Sequence, residues 1–349
     1  MQMTRVGRAR SVALALLAGA GLAAGVGHLA LAAAAPAPTA PTMEVSARLV
    51  GPDGGWDYVS YDAGRRRMYV TRTNGVLSID LASGQVNGHF ADGQRTHGVV
   101  VIPGSDDLLV TNGSDSTARL VAAADGAPVA SIPTGKGPDA AVYDPVTKAV
   151  WVMDHAAGDV TIIDPVKRAA TGTVAVGGTL EFAAVDGKGR LYVNVEDKNE
   201  IVTIDTRSRK VLRRTALKGC DGPTGLVLTD KGMLIAACDG SAVAVDAASG
   251  RQTDTYKISR GADAAIYDAA RERVYVPCGR EGQLAIFDVH ARAPRLLGFV
   301  ATQAGARTGM VDPTTGLVYL PAAQYQPPAA AGQRPGMVPG SFVVLVMKP

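Results

Sequence analysis

Residues Tyr58 to His97 read YVSYDAGRRRMYVTRTNGVLSIDLASGQVNGHFADGQRTH. Four short apolar runs stand out: Val59 to Tyr61, Met68 to Val70, Leu77 to Ile79 and Val86 to Phe90. Between them lie Asp62-Ala63-Gly64, Asn74-Gly75 and Ser83-Gly84, which are strong turn-formers, and no helical spacing connects the runs. The pattern predicts four antiparallel strands in a small twisted sheet. Such a sheet cannot bury both of its own faces, so it must stack against others like it.

Copies of the unit follow. The turn after the first strand aligns Asp62, Ile102, Asp144, Asp186, Asp230, Asp268 and Asp312, spaced 40, 42, 42, 44, 38 and 44 residues apart. The end of the third strand aligns Asp80, Ala122, Asp164, Asp205, Asp246 and Asp288, spaced 42, 42, 41, 41 and 42 apart. Two independent anchors share one period. Four strands per unit with a period in the low forties predict an all-β fold, a seven-bladed β-propeller.

The first part of the 349-residue chain differs from the rest. Arg5, Arg8 and Arg10 precede an Ala/Leu/Gly run from Ser11 to Ala35, with small-residue cleavage patterns at Ala30-Leu31-Ala32 and Ala35-Pro36-Ala37. Residues 1–35 are expected to be a signal peptide and 36–43 a Pro/Ala-rich linker, leaving the propeller in 44–349. The rival reading is an uncleaved membrane anchor, disfavoured because Gly and Ala dominate where a stable span wants Leu, Ile and Val. The expected location is periplasmic or secreted, with no membrane contact beyond the leader. The three leader arginines supply the whole formal charge of +3, so the remainder carries 32 basic against 32 acidic residues. Nucleic-acid binding runs on clustered positive charge, so a neutral domain argues against nucleic acid as a partner.

Ring closure follows from the strand count. Glu44 to Val50 resembles the fourth-strand runs of the other units, whereas Met310-Val311, Leu317 to Leu320 and Phe342 to Val346 supply only three strands. The N-terminal strand is therefore expected to complete the last blade, which removes two exposed sheet edges. One segment departs from the repeat. Residues 321–341, PAAQYQPPAAAGQRPGMVPGS, replace a short turn between strands two and three of blade seven. It is expected beside the central opening, either as a lid or as an insertion without a role.

Tyr69-Val70-Thr71 and Leu109-Val110-Thr111-Asn112, with the degenerate Tyr192-Val193-Asn194 and Tyr275-Val276-Pro277, lie on the second strands. His97-Gly98-Val99-Val100-Val101-Ile102-Pro103 and Pro138-Asp139-Ala140-Ala141-Val142-Tyr143-Asp144-Pro145 lead into first strands. These motifs resemble the YVTN-type β-propeller repeat family over all seven repeats. The family and its relatives, some of them WD40-like, include periplasmic binding proteins, lactonase-like hydrolases and propeller subunits of quinone-cofactor dehydrogenases. The resemblance implies an architecture and leaves the chemistry to the site.

Five residues before each turn anchor stand Asp57, His97, Asp139, Glu181, Gly225, Asp263 and Arg307. Six of the seven are ionisable in a chain that is only 19% charged. First strands are innermost in a propeller, so these side chains could meet around the axis. Asp57, Asp139, Asp263 and Arg307, with Trp56 as an aromatic wall, are candidate ligand-binding residues. His97 with Glu181 is the candidate acid/base pair, and His97, Asp139 and Glu181 are the candidate ligands of a divalent metal ion as cofactor. The plain alternative is a set of solvated loop-end residues. The turns after the second strands add Arg72, Asn112, Asp154, His155, Glu196, Asp239 and Arg280, with His155 either a second imidazole for a metal or, as the preferred reading, a surface turn residue.

Cys220, Cys238 and Cys278 map to one sector, with Cys220–Cys238 the preferred disulfide and Cys238–Cys278 the alternative. No haem, Walker, HExxH or nucleophile-elbow motif occurs. With two tryptophans, Trp56 and Trp151, the tryptophan-rich pattern of eight-bladed quinoproteins is also missing. Function then divides between a monomeric exported binder of a small polar ligand, peptide or protein partner, and a lactone-hydrolysing or lyase-type enzyme using the same mouth. A subunit docking a redox enzyme is a third class.

Overall fold

A computed structural model describes residues 41–327 and 335–349. Its strands form seven four-stranded antiparallel sheets arranged as blades. Blade 1 runs outward through Trp56–Asp62, Arg67–Arg72, Gly75–Asp80 and Val86–Asp92. The inner strands of blades 2 to 7 are Thr96–Val101, Pro138–Asp144, Leu180–Val185, Leu226–Leu228, Ile266–Asp268 and Met310–Val311. In the last blade the order outward is Met310–Val311, Val318–Ala322, Val343–Lys348 and Glu44–Val50. The chain is a seven-bladed β-propeller, closed by its N-terminal strand through a register from Glu44↔Lys348 to Val50↔Val343. The expected signal peptide lies outside the described residues, and among the described residues no helix is long and apolar enough to cross a membrane.

The periodic aspartates are turn devices. Asp62 accepts from the Arg65 amide, Asp144 from Val146 and Thr147, Asp268 from Arg271, and Asp312 from Thr314. Asp80, Asp164, Asp205 and Asp246 do the same after third strands. A short acceptor that satisfies amides two or three residues on fixes each turn without help from distant parts of the chain.

Apolar clusters fill the spaces between blades. Trp151 and Met153 of blade 3 share one with Leu191, Val193 and Val202 of blade 4, all fully buried. Trp56 and Leu77 of blade 1 share another with Phe342 and Val344 of blade 7. Hydrogen bonds strap the blades together near the axis. The Thr71 hydroxyl donates to the His97 carbonyl at 2.7 Å, and the Thr111 hydroxyl to the Asp139 carbonyl at 2.7 Å. Thr308 closes the circuit by donating to the Asp57 carbonyl at 2.8 Å. Thr111 also accepts from the Gly98 amide at 2.7 Å and is fully buried. Thr111→Val keeps the shape but orphans a buried amide and a carbonyl, so it should cost roughly 2 kcal/mol in urea unfolding. A cost below about 0.5 kcal/mol would show that the strap contributes nothing.

Cys220 and Cys238 are disulfide-bonded, and Cys278 is a buried free thiol. The described flanks of the insert pair with each other: the Gln326 amide donates to the Gly336 carbonyl, and the Val338 amide to that of Gln324. Asp53 of the loop entering blade 1 receives the Phe342 amide at 3.2 Å. The Tyr325 ring packs over Gly305, where a Cβ would come within 3.1 Å, two residues before Arg307.

Candidate functional site

The inner strands carry a repeated irregularity. In blade 1 the register jumps between Trp56 and Val59, in blade 2 between Thr96 and Val99, in blade 3 between Pro138 and Ala141, and in blade 4 between Leu180 and Ala183. Each jump is a bulge with one extra residue on the inner strand. Asp57, His97, Asp139 and Glu181 sit inside these four bulges. A bulge bends the strand and re-aims a side chain, so one device, used four times, presents four ionisable groups at one end of the axis. Blade 6 has the same offset, between the Ala262↔Cys278 bridge and the Ile266↔Tyr275 pair, and Asp263 lies within it. Gly225 of blade 5 is the exception for a steric reason. A Cβ there would come within 2.4 Å of the Ala264 backbone.

Neighbouring blades supply the partners. His97 Nδ1 lies 2.6 Å from Asp57 Oδ2 and 3.8 Å from Asp139 Oδ1. His155 Nδ1 lies 3.0 Å from Glu181 Oε1, 3.9 Å from Asp139 Oδ2 and 3.1 Å from the Leu180 carbonyl. The Tyr58 hydroxyl donates to Glu181 Oε2 at 3.1 Å. On the other side of the ring, Arg307 Nε donates to Asp263 Oδ2 at 2.8 Å and its Nη2 to the Trp56 carbonyl at 2.6 Å.

Four expectations change. His97 and Glu181 are not a pair: His97 belongs with Asp57, and Glu181 with His155 and Tyr58. The metal set of His97, Asp139 and Glu181 separates accordingly into Asp57–His97–Asp139 and Asp139–His155–Glu181. His155 is not a surface turn residue. Its turn overhangs the inner strand of blade 4, and its side chain is 35% exposed while facing carboxylates. Trp56 is 4% exposed and packed on Phe342, so it supports Arg307 from behind instead of walling a ligand. Of the other turn residues, Arg72 is spent on the Pro52, Gly54 and Gly55 carbonyls, and Asn112 on the Gln94 amide. Asp154 is buried against Thr161.

Two cavities open at this end. One of about 230 Å³ is lined by Arg95, His97, Lys136, Asp139 and His155. The other, about 360 Å³, is lined by Glu196, Asp221, Asp239, Asp263, Arg280 and Arg307. A larger groove of about 830 Å³ lies between blades 4 and 5 at the other end of the strands. Its arginines are already engaged: Arg190 with Asp205, Arg292 with Asp246, and Arg213 with the Ala247 and Ala248 carbonyls. Size favours the groove, but the concentration of unneutralised charge favours the mouth, and charge decides where chemistry can occur.

Burial, and then the charge of Asp57, hold Asp139 well above the usual carboxylate range, against the pull of His97. The same two causes push Asp263 up to about 7, with Arg307 opposing. Burial pulls His97 down, but its bond to Asp57 and the charges of Asp139 and Asp57 outweigh it, so His97 is raised. His155 is raised by its bond to Glu181, against burial. Burial also raises Asp154 to about 7.

A group held more firmly protonated in the folded chain contributes stability that fades as pH rises. For the three aspartates the loss begins above the ordinary 3.8 and ends above their folded values. For the histidines it begins above 6.5. Asp205 and Asp246, lowered to about 2, act the other way and only at more acid pH. Metal-free protein should therefore melt highest at about pH 4 and at falling temperature towards about pH 8 in scanning calorimetry. Asp263→Asn should flatten the slope, and a profile rising with pH would contradict the reading.

Fold and site together define a seven-bladed propeller with a polar, carboxylate-rich mouth. The chain matches no protein-family model, and no curated protein sequence matches it. Solved structures share the architecture. A chain of Kuenenia stuttgartiensis hydrazine synthase superposes with a TM-score of 0.68 at 13% identity, covering 85% of this chain and 99% of that one. A chain of the mitotic checkpoint complex gives 0.66 at 12%, covering 90% and 96%. U3-55K gives 0.72 at 9%, covering 87% and 98%. At these identities the likeness is one of fold.

Proposed function

We propose that this chain is an exported, YVTN-type propeller that binds a small polar ligand at the mouth formed by Asp57, His97, Asp139, Glu181, Asp263 and Arg307. The observation that carries the reading is the repeated bulge, which spends backbone regularity in blade after blade to aim one ionisable side chain at a common space. Crowding carboxylates together, with Asp139 Oδ1 buried and unpartnered, costs stability, and such costs concentrate where a ligand recovers them. The Cys220–Cys238 disulfide and the basic, apolar leader support export to an oxidising compartment.

A protein partner is the other occupant to consider, since the similar propeller from the mitotic checkpoint complex belongs to an assembly. The small cavities behind the rim suit a small molecule better.

A thermal-shift panel of polyols, amino acids, small carboxylates and lactones tests the reading on the full chain and on Asp263→Asn. One chemical class should raise the melting temperature of the parent by several degrees and leave the variant unmoved. If no compound separates the two proteins, the reading fails.

A second reading, a lactone-hydrolysing or lyase-type enzyme, is favoured by the 2.6 Å His97–Asp57 bond, the geometry of a histidine base oriented by a carboxylate. On it, His97→Ala should lower turnover of a responsive lactone by roughly 100-fold or more. Unchanged turnover would remove it.

A further inference from the structure

Asp139 is the only residue shared by the two constellations at the mouth, and its two oxygens face opposite ways. Oδ1 is 3.8 Å from His97 Nδ1, while Oδ2 is 3.9 Å from His155 Nδ1. Oδ1 is buried without a hydrogen-bond partner. Within each constellation the donor atoms all lie within 4.8 Å of one another. The two halves also match in composition: an imidazole and a terminal carboxylate, Asp57 with His97 on one side and Glu181 with His155 on the other, completed by an oxygen of Asp139.

We infer that the mouth is a dinuclear centre in which Asp139 bridges two divalent cations, one held by Asp57 and His97, the other by His155 and Glu181. One nitrogen and two carboxylate oxygens per ion form a borderline-to-hard donor set, suited to Zn²⁺ or Mn²⁺ and poor for soft metals. Charge points the same way. Asp57, Asp139 and Glu181 place three carboxylates among neutral imidazoles, a grouping that two divalent ions more than neutralise. The excess positive charge, with Arg95 and Lys136 lining the same cavity, leaves an oxyanion as the complementary exogenous ligand. Each histidine now turns Nδ1 to a carboxylate at hydrogen-bond distance. An ion entering at Nδ1 leaves a neutral imidazole with its proton on Nε2, while an imidazolium or a protonated carboxyl of the set must give up its proton, so binding strengthens with pH.

The inference deepens the ligand-site reading, because the ions would form the floor on which a polar ligand rests. Its test uses the metal alone. Untagged full-length protein, stripped with chelator, is titrated calorimetrically with Zn²⁺ and with Mn²⁺, and bound metal is counted after desalting. Two equivalents are expected. His97→Ala and Glu181→Gln should each retain one, and Asp139→Asn should lose at least one and weaken any that remains by more than tenfold. Asp139→Asn is isosteric and places no charge in the buried position, so it should melt no lower than the metal-free parent, which separates lost binding from lost folding.

Mn²⁺-loaded parent should give an exchange-coupled electron paramagnetic resonance spectrum. Two equivalents with an uncoupled six-line spectrum, a single equivalent in the parent, or unchanged stoichiometry in Asp139→Asn would each overturn the bridge. No metal bound, with the thermal-shift response to polar compounds intact, would overturn the dinuclear centre and leave ligand binding standing. Two coupled ions with no organic ligand would do the reverse.

Discussion

A chain beginning at Gly51, lacking the Glu44–Val50 strand, should fail to give a monomeric, cooperatively melting protein. That strand is the outer member of the last blade, paired with Val343–Lys348 from one end to the other. It is mostly exposed, so little of its contribution is hydrophobic. What it supplies is a ladder of hydrogen bonds, each worth about 1 kcal/mol, in a fold whose whole stability is on the order of 5–15 kcal/mol. Its loss also bares Val343–Lys348 as an open edge of four valine and leucine residues. Size-exclusion chromatography should show aggregates, and a synthetic peptide spanning residues 43–52 should restore a monomer in trans. A truncated chain that stays monomeric with an unchanged melting temperature would mean the ring is closed by something else.

Breaking the Arg307–Asp263 pair is the second large effect. Arg307 holds three neighbours at once: Asp263, the Trp56 carbonyl and the Trp56 ring, 5.2 Å from its guanidinium. Arg307→Met should cost roughly 3 kcal/mol in urea unfolding at about pH 9, where Asp263 is ionised in the parent, since it leaves a mostly buried carboxylate beside Asp57 uncompensated. The cost should shrink as the pH falls through about 7, where Asp263 takes up a proton instead. Adding Asp263→Asn to Arg307→Met should recover most of the loss, giving a coupling energy of about 2 kcal/mol. A cost that is independent of pH, or additive in the double variant, would show that the pair is a surface decoration.

The architecture was legible because a propeller writes its period into turns. Asp62, Asp144, Asp268 and Asp312 cap those turns locally, so their spacing survives even where strand sequences drift. The site was legible as a set of positions but not as partners. Alignment put one residue from each blade at the mouth, and ring adjacency then dictates who meets whom. His97 in blade 2 has Asp57 and Asp139 on either side, while Glu181 is two blades away.

His155 was preferred as a surface residue over a metal imidazole because a turn residue after a second strand ordinarily faces solvent, and only the overhang of blade 3 on blade 4 brings it inward. Trp56 misled through its chain proximity to Asp57. Successive strand residues point opposite ways, so the tryptophan enters the seam between blades 1 and 7. The bulges themselves carry no sequence signature: His97 is followed by a glycine, but Asp57 is followed by Tyr58, Asp139 by Ala140 and Glu181 by Phe182.

The most direct test of the mouth as the functional centre is a crystal structure of the chain soaked in Mn²⁺ and a cocktail of small polar fragments. The account predicts ordered density between Asp57, Asp139, Glu181, Asp263 and Arg307, with anomalous signal on both sides of Asp139. Fragments confined to the groove between blades 4 and 5, lined by Lys188, Tyr192 and Arg213, with only water at the mouth, would contradict it.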